Sequence, residues 1–471
     1  MSDGTPQLER PTQFRKIVFV LACGTSWLLY LHRYVFGIIK PQLQTEFGLS
    51  KTDLGLLDSG FSVFYAGCQV PMGLAIDAAG VRYMLTGAIF VWCVGLALHA
   101  LATGPSMLVG GRVVLGTGQA GVYAALSRVT RNWFPASSRT TVQGWIGVFF
   151  GRIGGVSSNL LVATVMIGIY GFTWRLAVYL LAMLGLMHAL AFFLLYRNSP
   201  REHSLANDAE TSLIEEAPAA ADGRPRNLNA RMKIREMFSR MTARSTSNLL
   251  WLNAQTILST IADNIFSAWI PLFLFEVHNL KFKEMGIYSA LPLLGGACGG
   301  ACGGWLNDFM IRRMGDRRRA RSIVGLAGKG MAATLLIVAV CLHFAPEQNR
   351  AATDSVGWLS AWHHNPYRFC MLLFFVKFFS DWSLTTTWGV VTDIGGRSTA
   401  TVFAWNNAIA TSGAILAPVM YGTIAEHSSW FWVFITGAVA YTLCALSWLK
   451  IDCTRPLIDE SDSDKNSTHQ N

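Results

Sequence analysis

Residues 73–82 read GLAIDAAGVR, and residues 304–313 read GWLNDFMIRR. Both are G-x3-D-x4-R, carried by Gly73, Asp77 and Arg82 in the first copy and by Gly304, Asp308 and Arg313 in the second. Each copy lies between two long apolar runs, after the second of six such runs in its half of the chain. One match to so short a pattern is weak, but two at corresponding places point to a duplicated architecture. The residue types suit a turn between helices at a membrane face. Glycine lets two helices approach, a carboxylate caps or pairs near a helix end, and an arginine clamps the neighbouring bundle.

Working outward from these loops, the apolar runs are long enough to cross a bilayer, which takes about 20 residues. The first six lie at roughly 17–39, 52–75, 84–103, 107–130, 140–166 and 172–196. The second six lie at roughly 247–277, 284–307, 322–344, 367–392, 398–424 and 430–450. The sequence therefore predicts an all-α integral membrane protein of 12 transmembrane helices in two six-helix bundles, 17–196 and 247–450. A polar lead (1–16), a polar linker (197–246) and an acidic, polar tail (451–471) complete the chain. The linker reads as flexible and the tail as disordered.

Composition agrees. Of 471 residues, 52% are hydrophobic and 14% charged, against about 25% charged in soluble domains. The net charge of +10 does not call for nucleic acid, because the basic residues fall in alternate loops. Lys16, Arg82, Arg128, Arg131, Arg139, the linker, Arg312–Arg321 and Arg397 share one side, which the positive-inside rule makes cytoplasmic. The opposite loops are short and poor in Lys/Arg apart from Lys51, Lys281/Lys283 and a long stretch, Glu347–Arg368, whose Trp358, Trp362 and Tyr367 suit an interfacial segment. The expected location is the cell membrane, multi-pass, with both termini cytoplasmic. The N-terminus is polar through Lys16 and the first apolar run is of full span length, so no cleavable signal is expected. Eight of nine cysteines sit in apolar runs and no zinc-like pair is present, so no metal is expected. No G-x4-GK[ST] occurs, so nucleotide-driven pumping is not expected, and no cofactor is called for. No cluster of His, Asp and Glu has the spacing of an enzyme's metal or nucleophile site.

The first span ends in WLLYLHRYVFGIIK, residues 27–40, with His32 and Arg33 side by side in an apolar run. An ionisable group in hydrocarbon costs about 3 kcal/mol or more and is by default a functional candidate. The other reading is a guanidinium that snorkels to the interface, since Arg33 lies seven residues before Lys40, roughly 10 Å along a helix.

The duplicated loop and the six-plus-six layout resemble the major facilitator superfamily, built from two six-helix halves of inverted repeats. Finer features are similar to its anion:cation symporter family of organic-anion and sugar-acid carriers. These are LLYLHRYVFGIIKPQLQTEFGLS (28–50), SGFSVFYAGCQVPMG (59–73), RVVLGTGQAGVYAALSRVTRNWFP (112–135), AWIPLFLFEVHNL (268–280), GIYSALPLLGGACGGACGGWLND (286–308) and TTTWGVVTDIGG…FAWNNAIATSGAILAPVMYG (385–422). The resemblance covers nearly the whole chain. It implies secondary active transport of a small organic anion by rocking alternation of the two halves, ion-coupled, with the carrier working as a monomer.

The resemblance further implies a substrate site. A span-one Tyr-x-x-Arg, here Tyr30 and Arg33, supplies the cation for a carboxylate, and a guanidinium fork binds a carboxylate through two hydrogen bonds while keeping its charge. Tyr65, with Gln69 one turn on, and Thr385, Trp388 and Asn406 in the second half match substrate-binding positions; ordinary helix packing is the other reading of each. Proton-coupled members carry Asp-Arg in span one and a Glu seven residues beyond the span-four Arg. Here the pairs are His32-Arg33 and Arg112…Gln119, so both titratable carboxylates are replaced. His32 is left as a coupling candidate, because an imidazole titrates near neutrality, beside uniport or exchange with His32 structural. The coupling ion expected is a proton or sodium. Asp263, a lone acid in span seven, is a further coupling candidate as a cation or proton site, and so are Lys377 and Asp381, which stand at i, i+4 in span ten, either mutually neutralising or acting as a charge relay. Arg152, in GVFFGRIGG (147–155), is a candidate second buried cation facing the cavity; the other reading is that it pairs with a helix C-terminus or snorkels. Sugar-phosphate or phosphate antiport is the alternative, opposed by the acid Asp263 where a base is wanted. A transporter-like sensor without net flux is another.

Overall fold

The computed structural model describes residues 10–135, 138–215, 241–344, 364–395, 399–454 and 457. Among them there is no strand, and helices stand at every expected span. In the first half these are α1 (Arg15–Phe47), α2 (Lys51–Ala79), α3 (Val81–Ala100), α4 (Pro105–Gln119) with α5 (Val122–Trp133), a composite helix over 139–169, and α8 (Trp174–Leu195). The composite helix runs α6 (Arg139–Gly144), a π-helical turn Trp145–Phe150, α7 (Gly151–Ser158), then a π-helical stretch Asn159–Ile169. A short helix, α9 (Asp208–Glu215), follows. The second half holds α10 (Ala243–Ala268), α11 (Ile270–His278), α12 (Phe282–Met314), α13 (Arg317–His343), α14 (Pro366–Gly395), α15 (Thr399–His427) and α16 (Trp430–Ser447).

Among the described residues, nine helices are long and apolar enough to cross a membrane, or ten if α10 and α11 form one span bent by 51°. The bend has a local cause. Pro271 sits in the first turn of α11, where it can donate no hydrogen bond back into the preceding turn. The two spans that miss the apolar threshold are α2 and α4–α5. The first carries Asp53, Asp58, Gln69 and Asp77; the second is broken after Gln119 and continues into an amphipathic α5 that buries Val122, Ala125, Leu126, Val129 and Trp133 on one face. A helix that keeps polar residues at membrane depth needs protein around it.

The chain divides into two compact units, 1–47 with 60–224 and 48–59 with 225–471. In the first unit α1 lies against α7, where Gly154 faces the Trp27 carbonyl oxygen and Trp27 Nε1 donates to Ser157 Oγ at 3.0 Å. The start of α1 is fixed by Glu210 of α9, which is fully buried and accepts from the backbone N–H of Phe14 (2.9 Å) and Arg15 (3.1 Å), and from the Thr12 hydroxyl. A carboxylate there satisfies otherwise orphaned donors of a helix N-terminus and complements its dipole.

In the second unit α12 and α14 meet along a glycine seam. A Cβ at Gly295 or Gly299 would run into the carbonyl oxygens of Phe374 and Phe378, and one at Gly303 would lie 2.7 Å from the Cα of Trp382. Small residues that let backbones touch are the usual means of packing helices in lipid, where water cannot drive them together. Gly299→Val is therefore expected to prevent correct packing of this pair, read as loss of the monodisperse peak in detergent size-exclusion chromatography. Gly330→Val, where no heavy atom lies within 4 Å of an added Cβ, should keep it.

The beginning of the tail is not disordered, in contrast to its polar composition. Ile451, Cys453 and Leu457 are buried in a cluster with Leu249, Leu252, Val390, Ile394 and Trp448. Asn248 and Asp452 bind each other through backbone and side chain at 2.7 and 2.8 Å. Three apolar side chains among the polar ones suffice to tie these residues down, as burial outweighs the average character of the segment. Part of the expected linker is also helical, namely α9. The remaining linker (216–240), Arg397, Trp358, Trp362 and the tail beyond 457 lie outside the described residues.

Candidate functional site

In the first unit the guanidinium of Arg33 sits in an aromatic cage, 4.6 Å from the ring centre of Tyr65, 5.2 Å from Phe61 and 5.3 Å from Tyr30. Three aromatic faces supply cation–π attraction of about 0.5–2 kcal/mol each without neutralising the charge. The cage has a floor. Arg33 Nε donates to Gln119 Oε1 at 3.0 Å, and Gln119 Nε2 donates to the Leu29 carbonyl at 3.2 Å. Gln119 is fully buried, so its amide is held at both ends and fixes the direction of the guanidinium. No carboxylate pairs with Arg33 among the described residues, and its Nη2 is buried without a hydrogen-bond partner. Buried donors left unmade are costly, and each calls for an explanation.

The helices that carry this group come from sequence features already named. Tyr65 stacks on Phe61 with rings 5.8 Å apart, and Gly116 of α4 packs on the backbone of Phe61 and Tyr65. Tyr30 leans on Gly151 of α7 and stands 6.5 Å from Tyr123. The Tyr123 hydroxyl contacts Ser26 Oγ at 3.3 Å. Gln69 and Arg152 are both half-buried, on α2 and α7. Phe61 and Tyr123 escaped the sequence reading. They carry no charge, and only their helical register relative to Tyr65 and Gln119 could have marked them.

His32 faces away from this cage. It is fully buried and accepts a hydrogen bond from Trp92 Nε1 at Nδ1 (3.1 Å), and a Cβ at Gly185 of α8 would lie 2.8 Å from its Cε1. Its ring is thus wedged between α3 and α8, with Nδ1 serving as an acceptor. Arg112 is buried under Phe36 and Phe61, with its guanidinium 4.0 and 4.8 Å from their ring centres.

The second unit holds a different arrangement, and it gathers three of the candidate residues from spans seven and ten. Lys377 Nζ donates to Asp263 Oδ1 at 2.6 Å and to Asp381 Oδ1 at 2.8 Å. Tyr441 and Ser380 hydroxyls donate to the same Asp263 oxygen at 2.6 and 3.2 Å. Lys329 joins from α13, donating to Ser259 and Ser380 hydroxyls at 2.8 Å each, with Asp263 Oδ2 3.9 Å away. Two aspartates and two lysines thus form one buried cluster. Lys329 was missed by the sequence reading, although an ionisable residue inside span nine was signal enough.

The other second-half candidates lie apart from the cluster. Thr385 donates to the Trp382 carbonyl at 3.1 Å and borders the glycine seam near Gly303. Asn406 is buried and accepts from Thr256 at 2.9 Å. Trp388 is exposed beside Phe403, with ring centres 5.9 Å apart.

The duplicated loops are not alike. Asp77 pairs with Arg128 at 2.5 Å, while Arg82 donates to the Phe193 carbonyl at 3.0 Å and lies over the Phe193 ring at 4.5 Å. In the second copy Asp308 takes a 3.4 Å contact from Asn307, and Arg313 is exposed; the neighbouring ion pair is Arg321–Asp393 at 2.8 Å. The close approach expected at Gly73 and Gly304 is not present: no heavy atom lies within 4 Å of a Cβ added to either.

A bundle of helices of spanning length with ionic groups buried among them defines a multi-pass membrane protein. Residues 22–345 match the Major Facilitator Superfamily model, and the chain belongs to that superfamily. It is 26% identical over 421 residues to the probable sulfoacetate transporter of Cupriavidus necator, covering 88% of each chain. It is 25% identical over 442 residues to the probable L-galactonate transporter of Escherichia coli, covering 92% of this chain and 89% of the relative. The fold is also that of a bacterial homologue of the human lysosomal transporter Spinster, in an inward-facing and occupied conformation, with a TM-score of 0.69, 16% identity, and coverage of 93% and 96%.

Proposed function

We propose that this chain is a secondary active transporter that carries small organic anions, carboxylates of the sugar-acid type, by alternating access of its two halves. The bundles 17–196 and 247–450 are the moving bodies, and both termini face the cytoplasm, the side that holds most of the loop Lys/Arg. The observation that carries the reading is Arg33: a caged guanidinium, directed by Gln119, with a buried Nη2 that has no partner. A carboxylate of the substrate supplies the missing acceptor and the missing charge together. Tyr30 and Tyr65 present hydroxyl groups beside it for a polyhydroxylated acid. The named cargoes of the two relatives, sulfoacetate and L-galactonate, are both small organic anions and support this class.

The test is a thermal-shift screen of purified protein against L-galactonate, sulfoacetate, glucose 6-phosphate and glucose. A ligand at a hundred times its dissociation constant adds about 2.7 kcal/mol of stability to the state that binds it. The expected result is stabilisation by the carboxylate or sulfonate and none by glucose. Stabilisation by the phosphate alone would replace this reading with phosphate exchange.

A further inference from the structure

The charge cluster of the second unit is arranged around one oxygen. Asp263 Oδ1 receives Lys377, Tyr441 and Ser380 at once, from α14 and α16. Its other oxygen has Ser259 at 3.4 Å and Lys329 at 3.9 Å. From α15, Tyr421 donates to the Ile261 carbonyl, two residues before Asp263 on the same helix. From α12 the neighbour is Gly296, whose added Cβ would meet Asp381 Oδ2 at 2.6 Å. The other groups close by are the Cys444 thiol, bonded to the Gln255 carbonyl at 3.4 Å, and the Phe266 ring, 5.6 Å from Lys377 Nζ. The formal charges of Asp263, Asp381, Lys329 and Lys377 sum to zero.

Access is unequal within the cluster. The side chains of Lys377 and Asp381 are each 2% exposed and that of Lys329 is 1%, whereas Asp263 is 28% exposed. The single member that water and its protons reach is therefore the carboxylate on which both lysines converge. Both ammonium groups already crowd it, which disfavours a metal cation at the same place.

We propose that Asp263 is the proton-coupling residue of this carrier. This rests on the organic-anion reading given above and places coupling in the second unit, away from span one and span four. A proton from water binds an Asp263 oxygen, forming one O–H bond. Lys377 and Lys329 are then left facing one carboxylate, Asp381, and the cluster carries one uncompensated positive charge. A monocarboxylate on Arg33 brings one negative charge, so a proton carried with it makes the cargo electroneutral. On the other side the O–H bond breaks, the proton returns to water and the Lys377–Asp263 pair reforms. The stoichiometry is one proton per monovalent anion, with no net charge moved.

The experiment uses the full chain in proteoliposomes holding a trapped pH-sensitive dye, with L-galactonate as the probe. An inward galactonate gradient should acidify the lumen with wild type. In Asp263→Asn, protons moved per galactonate exchanged should fall at least tenfold. Asp263→Asn/Lys377→Gln, which keeps the cluster neutral, should behave the same way and guards against a misfolded single variant. A ratio unchanged in either variant, or galactonate exchange by wild type without acidification, overturns the proposal. So does accumulation of galactonate driven by an imposed membrane potential. A second readout needs no substrate: the infrared difference spectrum between acidic and neutral pH should show a protonated-carboxyl band in wild type that is lost in Asp263→Asn. Persistence of that band in the variant overturns the proposal even where galactonate is not carried. Absence of galactonate exchange by wild type, with the band lost in the variant, instead faults the substrate and leaves the assignment of Asp263 supported.

Discussion

Arg33→Ala is expected to abolish carboxylate-dependent stabilisation and uptake while leaving the unliganded protein as stable as wild type, or more so. The two halves of that expectation come from one fact. Nη2 of Arg33 is buried without a partner and no carboxylate neutralises the side chain among the described residues, so the cost of burying its charge offsets what the Gln119 hydrogen bond and the aromatic contacts contribute. Its value lies in the substrate. Two charge-assisted hydrogen bonds of about 1.5–3 kcal/mol each amount to roughly 10²–10⁴ in affinity at 1.4 kcal/mol per tenfold. Arg33→Lys keeps the charge and loses the planar fork, so it should fall between the two. Isothermal titration with galactonate, together with the melting temperature of the unliganded variants, separates the outcomes. A melting temperature that drops sharply in Arg33→Ala, with galactonate affinity retained, would make Arg33 a packing residue and sink the substrate reading.

Lys377→Met should have the opposite signature. Its ammonium, on a side chain 2% exposed, holds Asp263 and the equally buried Asp381 at 2.6 and 2.8 Å, so its removal strands negative charge in the bundle. Breaking a buried pair from one side costs about 3–5 kcal/mol, whereas replacing the pair by neutral groups is often tolerated. Lys377→Met/Asp381→Asn leaves Asp263 facing Lys329 and should recover most of the loss. The measurement is the temperature of thermal inactivation in detergent for wild type, both single variants and the double variant. A double variant no better than Lys377→Met alone would mean that the cluster is not an energetic unit.

How far the chain could be read without coordinates depended on what kind of signal each feature leaves. Apolar run length alone placed the helices, because a bilayer sets a length that few other structures demand. The two spans that fall below the apolar threshold, α2 and α4–α5, are still legible as apolar runs at 52–75 and 107–130. Arg33, Tyr30 and Tyr65 could be chosen from sequence, and the structure brings them within one cage. Asp263, Lys377 and Asp381 could be picked out one at a time as charges in apolar helices, but their meeting could not. Residues 114 positions apart leave no periodic trace of contact in a single sequence. The partners of Asp77 and Arg82 were likewise hidden. A motif specifies which residues are present, while Arg128 and the Phe193 carbonyl are supplied by packing within the unit. The tail shows a third limit: average polarity describes 451–471 well, but a few buried side chains decide where its first residues lie.

The cap that Glu210 places on α1 also bears on how the protein is made. Phe14 and Glu210 are 196 positions apart, and a ribosome adding about 5–20 residues per second needs roughly 10–40 s to cover that interval. Helix α1 therefore enters the membrane with its first N–H groups uncapped, and receives its capping carboxylate only after α8 has been synthesised. The contact records completion of the first half. A nascent chain truncated before residue 210 should leave residues 10–14 open to protease, and one extended past α9 should protect them.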